Sequence, residues 1–241
     1  MKHQVNSSWV SNGNLGSARW YDAAPSWLTP DPLTEKAPSI SPYVYCADNP
    51  VNAIDPDEKK VVDTKGRNIF YIDSKGTPQI TNHASSNDKM LFDGMMLTKT
   101  GQNQLRLMVK SSTKIHLKYA DSCQDDTPSN NTYAETFQGK KGANSGIYKD
   151  KNGMFRLEGA TITFYMKSIE ESLKDPESEN YGYSMTQAMG AEGTHESVHA
   201  ADTMEVHKDI SSANGGPKRT KDESEYKAKK KEREYCEELN K

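Results

Sequence analysis

The sequence predicts an α+β domain: a small sheet, a helix that carries a pair of histidines four residues apart, and a further charged helix behind it. Three observations lead there. Short runs near residues 68, 113 and 161 hold the β-branched and aromatic residues that strands prefer. A segment over 100–111 spaces its apolar residues as a helix does. The stretch that opens at Ser184 starts with a helix-capping spelling and runs into His195-Glu196-Ser197-Val198-His199.

In order along the chain, the first sixty residues stand apart because they are rich in proline, tryptophan and tyrosine, which predicts a division into 1–60 and 61–241. In the second part, Asn68-Ile69-Phe70-Tyr71-Ile72 reads as a strand and Asp73-Ser74-Lys75-Gly76 as the turn that ends it. Leu105, Met108 and Val109 fall on one side of the 100–111 helix. Thr113-Lys114-Ile115-His116-Leu117-Lys118-Tyr119 alternates as a half-buried strand should. A polar loop then runs to about 135, followed by a glycine-rich stretch through Gly139, Gly142 and Gly146. The last strand expected is 161–166.

Composition narrows the function classes. An apolar fraction of 33% and a mean hydropathy of -0.91 suit one modest core. A net charge of -3 gives no electrostatic case for a nucleic-acid partner, since phosphate binding needs clustered positive charge. Lysines do gather at 227–231, but glutamates crowd the same segment. Cys46, Cys123 and Cys236 are widely spaced and odd in number, and make neither a disulfide framework nor a thiolate metal pattern. No apolar run approaches a membrane span, and the opening residues lack the apolar core of a signal peptide. Action outside the cell of origin would therefore require a dedicated delivery machine.

A metal-binding pair four apart needs a helix, where residues i and i+4 share a face. Ser184 and Gln187 spell a capping box, and Met185, Met189 and Val198 keep an apolar side, so a helix over 184–207 is expected. Glycines at 190 and 193 weaken such a helix by about 1 kcal/mol each, which predicts that another element packs closely on that turn. His195 and His199 then aim two imidazoles at one point, as zinc requires. Glu196, about 100° further round, sits beside the open coordination position, where it can take a proton from a metal-activated water and pass it to a leaving amine.

The five positions 195–199 resemble the signature of the zincin metallopeptidases, which implies a zincin-like fold, Zn2+ as cofactor, His195 and His199 as metal ligands and Glu196 as the catalytic base. In the glutamate zincins the third ligand lies on a following helix, often with alanine three residues later. Thr220-Lys221-Asp222-Glu223 opens such a helix, and Glu225 with Ala228 matches that pattern. Glu223 competes with Glu225, and Glu205, six residues after His199 as in metzincins, is a rival. Asp202 could orient an imidazole, and His207, Tyr181 or Tyr183 could polarise a substrate carbonyl. Glu232, Glu234, Glu237 and Glu238 read as solvated helix-face charges. The 161–166 strand takes the place of the zincin edge strand that binds substrate.

A second resemblance covers residues 16–58. Gly16-Ser17-Ala18-Arg19-Trp20-Tyr21-Asp22, Trp27-Leu28-Thr29-Pro30-Asp31-Pro32-Leu33, Ser41-Pro42-Tyr43-Val44-Tyr45-Cys46-Ala47-Asp48-Asn49-Pro50-Val51-Asn52 and Ile54-Asp55-Pro56-Asp57 follow one another in an order that resembles the Rhs-repeat-associated core of polymorphic toxins. In that family a variable toxin follows the core, and Asp31 and Asp55 fall at aspartate positions tied to self-cleavage. The two resemblances together imply a zinc endopeptidase effector with a protein or peptide substrate and a cognate immunity protein. A toxin of another chemistry, such as a nuclease, and a non-catalytic shell segment are the competing classes.

Overall fold

The computed structural model describes residues 61–123, 132–139 and 146–241, all in the second of the two units into which the chain divides, 1–58 and 59–241. The proline-rich segment with Asp31 and Asp55 lies outside the described residues. In chain order the elements begin with β1 (Val61–Val62), β2 (Asn68–Ile72), β3 (Pro78–Ile80), α1 (Ser86–Met96) and α2 (Lys99–Lys110). Next come β4 (Lys114–Ala120), β5 (Ala134–Gln138), β6 (Ile147–Lys149), β7 (Phe155–Leu157) and β8 (Gly159–Tyr165). Four helices close the chain: α3 (Met166–Ser172), α4 (Met185–Ala201), α5 (Thr203–Ala213) and α6 (Lys221–Leu239). The architecture is α+β, as expected.

Six strands form one mixed sheet in the order β3-β2-β1-β4-β8-β5, and β6 pairs with β7 in a separate ribbon. The centre is parallel, β1 beside β4 and β4 beside β8, while the flanks are antiparallel. β4 buries Ile115 and Leu117 and exposes Lys114 and Lys118, the alternation its sequence shows. Gly76, at φ 79, ends β2 in a left-handed turn whose amides are held by Asp73.

One strand assignment changes. β8 sits between β4 and β5 and buries Ala160, Ile162, Phe164 and Tyr165, so it is an interior strand rather than the edge. Among the described residues the edge is β5, where the sequence predicts a polar loop passing into a glycine-rich stretch. Its Ala-Glu-Thr-Phe-Gln carries no apolar stripe because none of its residues is fully buried.

The helix over 184–207 is also two helices. Asp202 ends α4 and begins α5, and its carboxylate accepts from the amides of Met204 and Glu205. A side-chain cap at Asp202 ends one helix and starts the next without the glycine that a break suggests.

The glycines of α4 meet the close neighbours their presence predicts. A Cβ on Gly94 of α1 would press on the backbone of Thr186 and Gly190, and one on Gly190 would meet the Gly94 carbonyl carbon at 2.5 Å. At Gly193 it would run into Leu91 and Met95. Tyr235, fully buried on α6, donates from its hydroxyl to the Gly94 carbonyl at 2.7 Å. Three helices are thus pinned at one point, which fixes α6 against α4.

Candidate metal centre

On α4, His195 and His199 face Glu225 of α6, while Glu196 faces Thr136 of β5. Ser184 and Gln187 form the reciprocal cap at the start of α4, and Thr220 and Glu223 form one at the start of α6. Together with the Tyr235 pin, these caps set the axial position of both helices. The result is that Glu225, in the first turns of α6, faces the two histidines.

One oxygen of Glu225 lies 3.0 Å from His195 Nε2 and 3.4 Å from His199 Nε2. The donor atoms of His195, His199 and Glu225 all fall within 4.8 Å of one another. A tetrahedral metal with bonds of 2.0 to 2.1 Å separates neighbouring donors by about 3.3 Å, so this group could hold a metal ion. Glu223 is occupied instead in the helix cap. Glu205 is buried away from the pair, in ion pairs with Lys208 and Arg219 at 2.8 Å each.

The remaining imidazole nitrogens also face carboxylates. His195 Nδ1 is 2.7 Å from Glu232, and His199 Nδ1 is 4.0 Å from Asp209. The Glu232 contact fixes the orientation of the His195 ring and makes its Nε2 a better donor to a metal, whereas Asp209 stands beyond hydrogen-bond reach of His199. Asp209 also braces the neighbouring helices, since its other oxygen accepts from Arg219 at 2.6 Å and from Ser224 Oγ at 2.8 Å, tying α5 to the residue just before Glu225. Glu232 therefore is no solvated charge, and neither is Glu238, which accepts from the Thr100 amide and hydroxyl at the start of α2. Asp202 bonds Lys227 at 2.6 Å rather than an imidazole. His207 accepts from the Phe155 amide, and His207, Tyr181 and Tyr183 all lie outside the cleft lining.

Glu196 is 5% exposed, and Thr136 Oγ1 of β5 donates to its Oε2 at 2.6 Å. Gln138, two residues along the strand, donates to the His199 carbonyl at 2.9 Å. β5 thus lies along α4 and runs in the same direction. Its bonds to β8 include Tyr165 N–H to the Tyr133 carbonyl and Gly139 N–H to the Gly159 carbonyl. The alternation of an antiparallel pair then turns the main-chain groups of Ala134, Thr136 and Gln138 toward the open edge. Between this edge and α6 lies a cleft of about 720 Å³, with the histidine pair in its wall.

The electrostatics are those of a site short of positive charge. Burial alone would strip the proton from His195, but Glu225 and Glu232 outweigh it and push its pKa up to about 11. His199 is raised as well, with Glu225 again overcoming burial. Hydrogen bonds from both rings hold Glu225 far below the usual carboxylate range. Burial raises Glu196 and Glu192, and Glu232 adds to the latter. Carboxylates so placed are expected to be paired or to coordinate a cation, which agrees with the geometry of the donor group.

Thr136, Gln138, Glu192, Asp209 and Glu232 carry no signal in the sequence, since each acquires its place only when distant segments meet. Among the described residues no helix is long and apolar enough to cross a membrane. Compared with family models, with curated proteins and with solved structures, the chain matches none of them.

Proposed function

We propose that the chain is a zinc-dependent endopeptidase with a zincin-like site, the effector end of an Rhs-type polymorphic toxin. The observation that carries the peptidase reading is the convergence of His195, His199 and Glu225 beside a buried glutamate and an open sheet edge. Residues 16–58 carry the toxin reading, through their resemblance to the Rhs-associated core, and with it come a dedicated delivery machine and an immunity partner.

His195, His199 and Glu225 would hold the zinc. The ion, when bound, polarises the scissile carbonyl and acidifies water. The chain's own groups do the rest. An extended peptide pairs with the outward main-chain groups of Ala134, Thr136 and Gln138, which brings its carbonyl alongside α4. Thr136 holds Glu196 Oε2, so Oε1 takes the proton from the attacking water and delivers it to the departing amine nitrogen. Glu232 accepts the Nδ1 proton of His195 and so turns Nε2 toward the metal.

Replacing Glu196 by glutamine should leave the zinc content intact and lower turnover of a denatured protein substrate by about 10³-fold. Undiminished cleavage by that variant would sink the mechanism.

A further inference from the structure

We propose that the cleft selects a lysine or arginine on the carboxyl side of the cleaved bond, held by Glu192. This rests on the peptidase reading above and names its substrate class. Glu192 precedes His195 by three residues and Glu196 by four, so it lies on the same face of α4, one turn nearer the helix start. It lines the cleft, yet only 7% of its surface is exposed. Among the described residues its single hydrogen bond comes from Asn180 Nδ2 at 3.3 Å, and no lysine or arginine pairs with it. Asn180 is itself 2% exposed and also bonds Ser172, so it is held in place to face this carboxylate.

A leucine at this position would bury apolar surface at no electrostatic cost. A carboxylate there loses its hydration and meets the repulsion of Glu232, which the Asn180 hydrogen bond and the nearby His195 offset only in part. An arriving alkylammonium or guanidinium offsets both by direct attraction. The cleft is also uneven in charge. α6 runs opposite to α4, with Lys227 bonded to Asp202 at one end and Tyr235 beside Gln187 at the other. Lys221 therefore lines the end beyond His199, while Glu179, Asn180 and Glu192 line the other. Lys229 borders the α6 wall between them and is exposed.

The direction of the substrate follows from β5. The strand runs with α4, Thr136 against Glu196 and Gln138 against the His199 carbonyl. Antiparallel pairing is the more stable per residue, and a peptide so added runs the other way. Its residues after the cleaved bond then pass toward Ala134 and the Glu192 end. Glu192 is about 6 Å along the helix from Glu196, within reach of a long basic side chain from the first residue after the bond.

The test is to digest a denatured, mixed-sequence peptide library with zinc-loaded protein and map the cuts by mass spectrometry. Lysine and arginine should be enriched at least about tenfold just after the cut. Glu192→Gln should erase that enrichment, and Glu192→Lys should turn it toward aspartate and glutamate. Cuts that follow basic residues, or a profile indifferent to charge, overturn the inference and leave the peptidase standing. No cuts at all overturn the peptidase reading, and the inference falls with it. Independently of turnover, argininamide should raise the melting temperature of wild type more than that of Glu192→Gln, and equal shifts count against the assignment.

Discussion

The two faces of α4 are built on opposite principles. Toward α1 the helix presents Gly190 against Gly94 and Gly193 against Leu91 and Met95, in a contact so close that an added methyl is excluded. Toward β5 and α6 it presents Glu192, His195, Glu196 and His199, polar groups carried into the interior and held there by partners from other segments. The first face contributes stability through packing. The second is expensive to bury and depends on those partners. The contrast teaches that position and chemistry are supplied by different sides of one helix, so variants on the two should separate by readout.

The largest effect belongs to the packed face. Gly190→Ala forces a methyl against Gly94 and the Tyr235 hydroxyl and should destabilise the fold by about 3 kcal/mol in denaturant melts. A neutral result would mean that the helices are not in close contact there. On the polar face, Glu232→Gln keeps the volume but weakens the hold on His195 Nδ1. It should loosen zinc by about 10- to 100-fold in a chelator competition. An affinity equal to wild type would remove Glu232 from the site.

The smallest effect is on pH. His195, pushed to about 11 from an ordinary 6.5, takes up a proton on folding, so its contribution is complete below pH 6.5 and fades as pH rises toward 11. Glu192, raised above an ordinary 4.5, acts in the same direction. Glu225, depressed, contributes fully above 4.5 and adds no slope at neutral pH. The metal-free protein should therefore melt about 5 °C lower at pH 9 than at pH 6.5. A melting temperature that stays level or climbs would show that these charges are not buried together.

Much of this arrangement was legible in the sequence because its signals are local. The caps at Ser184 and Thr220, the turn at Gly76, the strands β2, β4 and β8 and the spacing of His195 and His199 each depend on residues a few positions apart. Glu225 was readable only as one of three competing glutamates, and of the three it is the one that stands beside both histidines. Glu223 is consumed by the cap, and Glu205 by Arg219 and Lys208. What stayed hidden depends on chain-distant partners. β5 has no apolar alternation, because it is a half-exposed edge whose Thr136 and Gln138 are chosen for α4 rather than for a core. Glu232 looks like its neighbours until His195, 37 positions earlier, is set beside it. The break at Asp202 escaped because a side-chain cap replaced the expected glycine.

The measurement that bears most directly on the central claim is metal content after zinc loading and removal of the excess, on wild type, Glu225→Ala and Glu205→Ala. The expected result is a single zinc per chain in wild type, lost with Glu225→Ala and kept with Glu205→Ala. A wild type that retains no zinc, or a Glu225→Ala protein that keeps it while Glu205→Ala loses it, would rule out a metal centre on His195, His199 and Glu225.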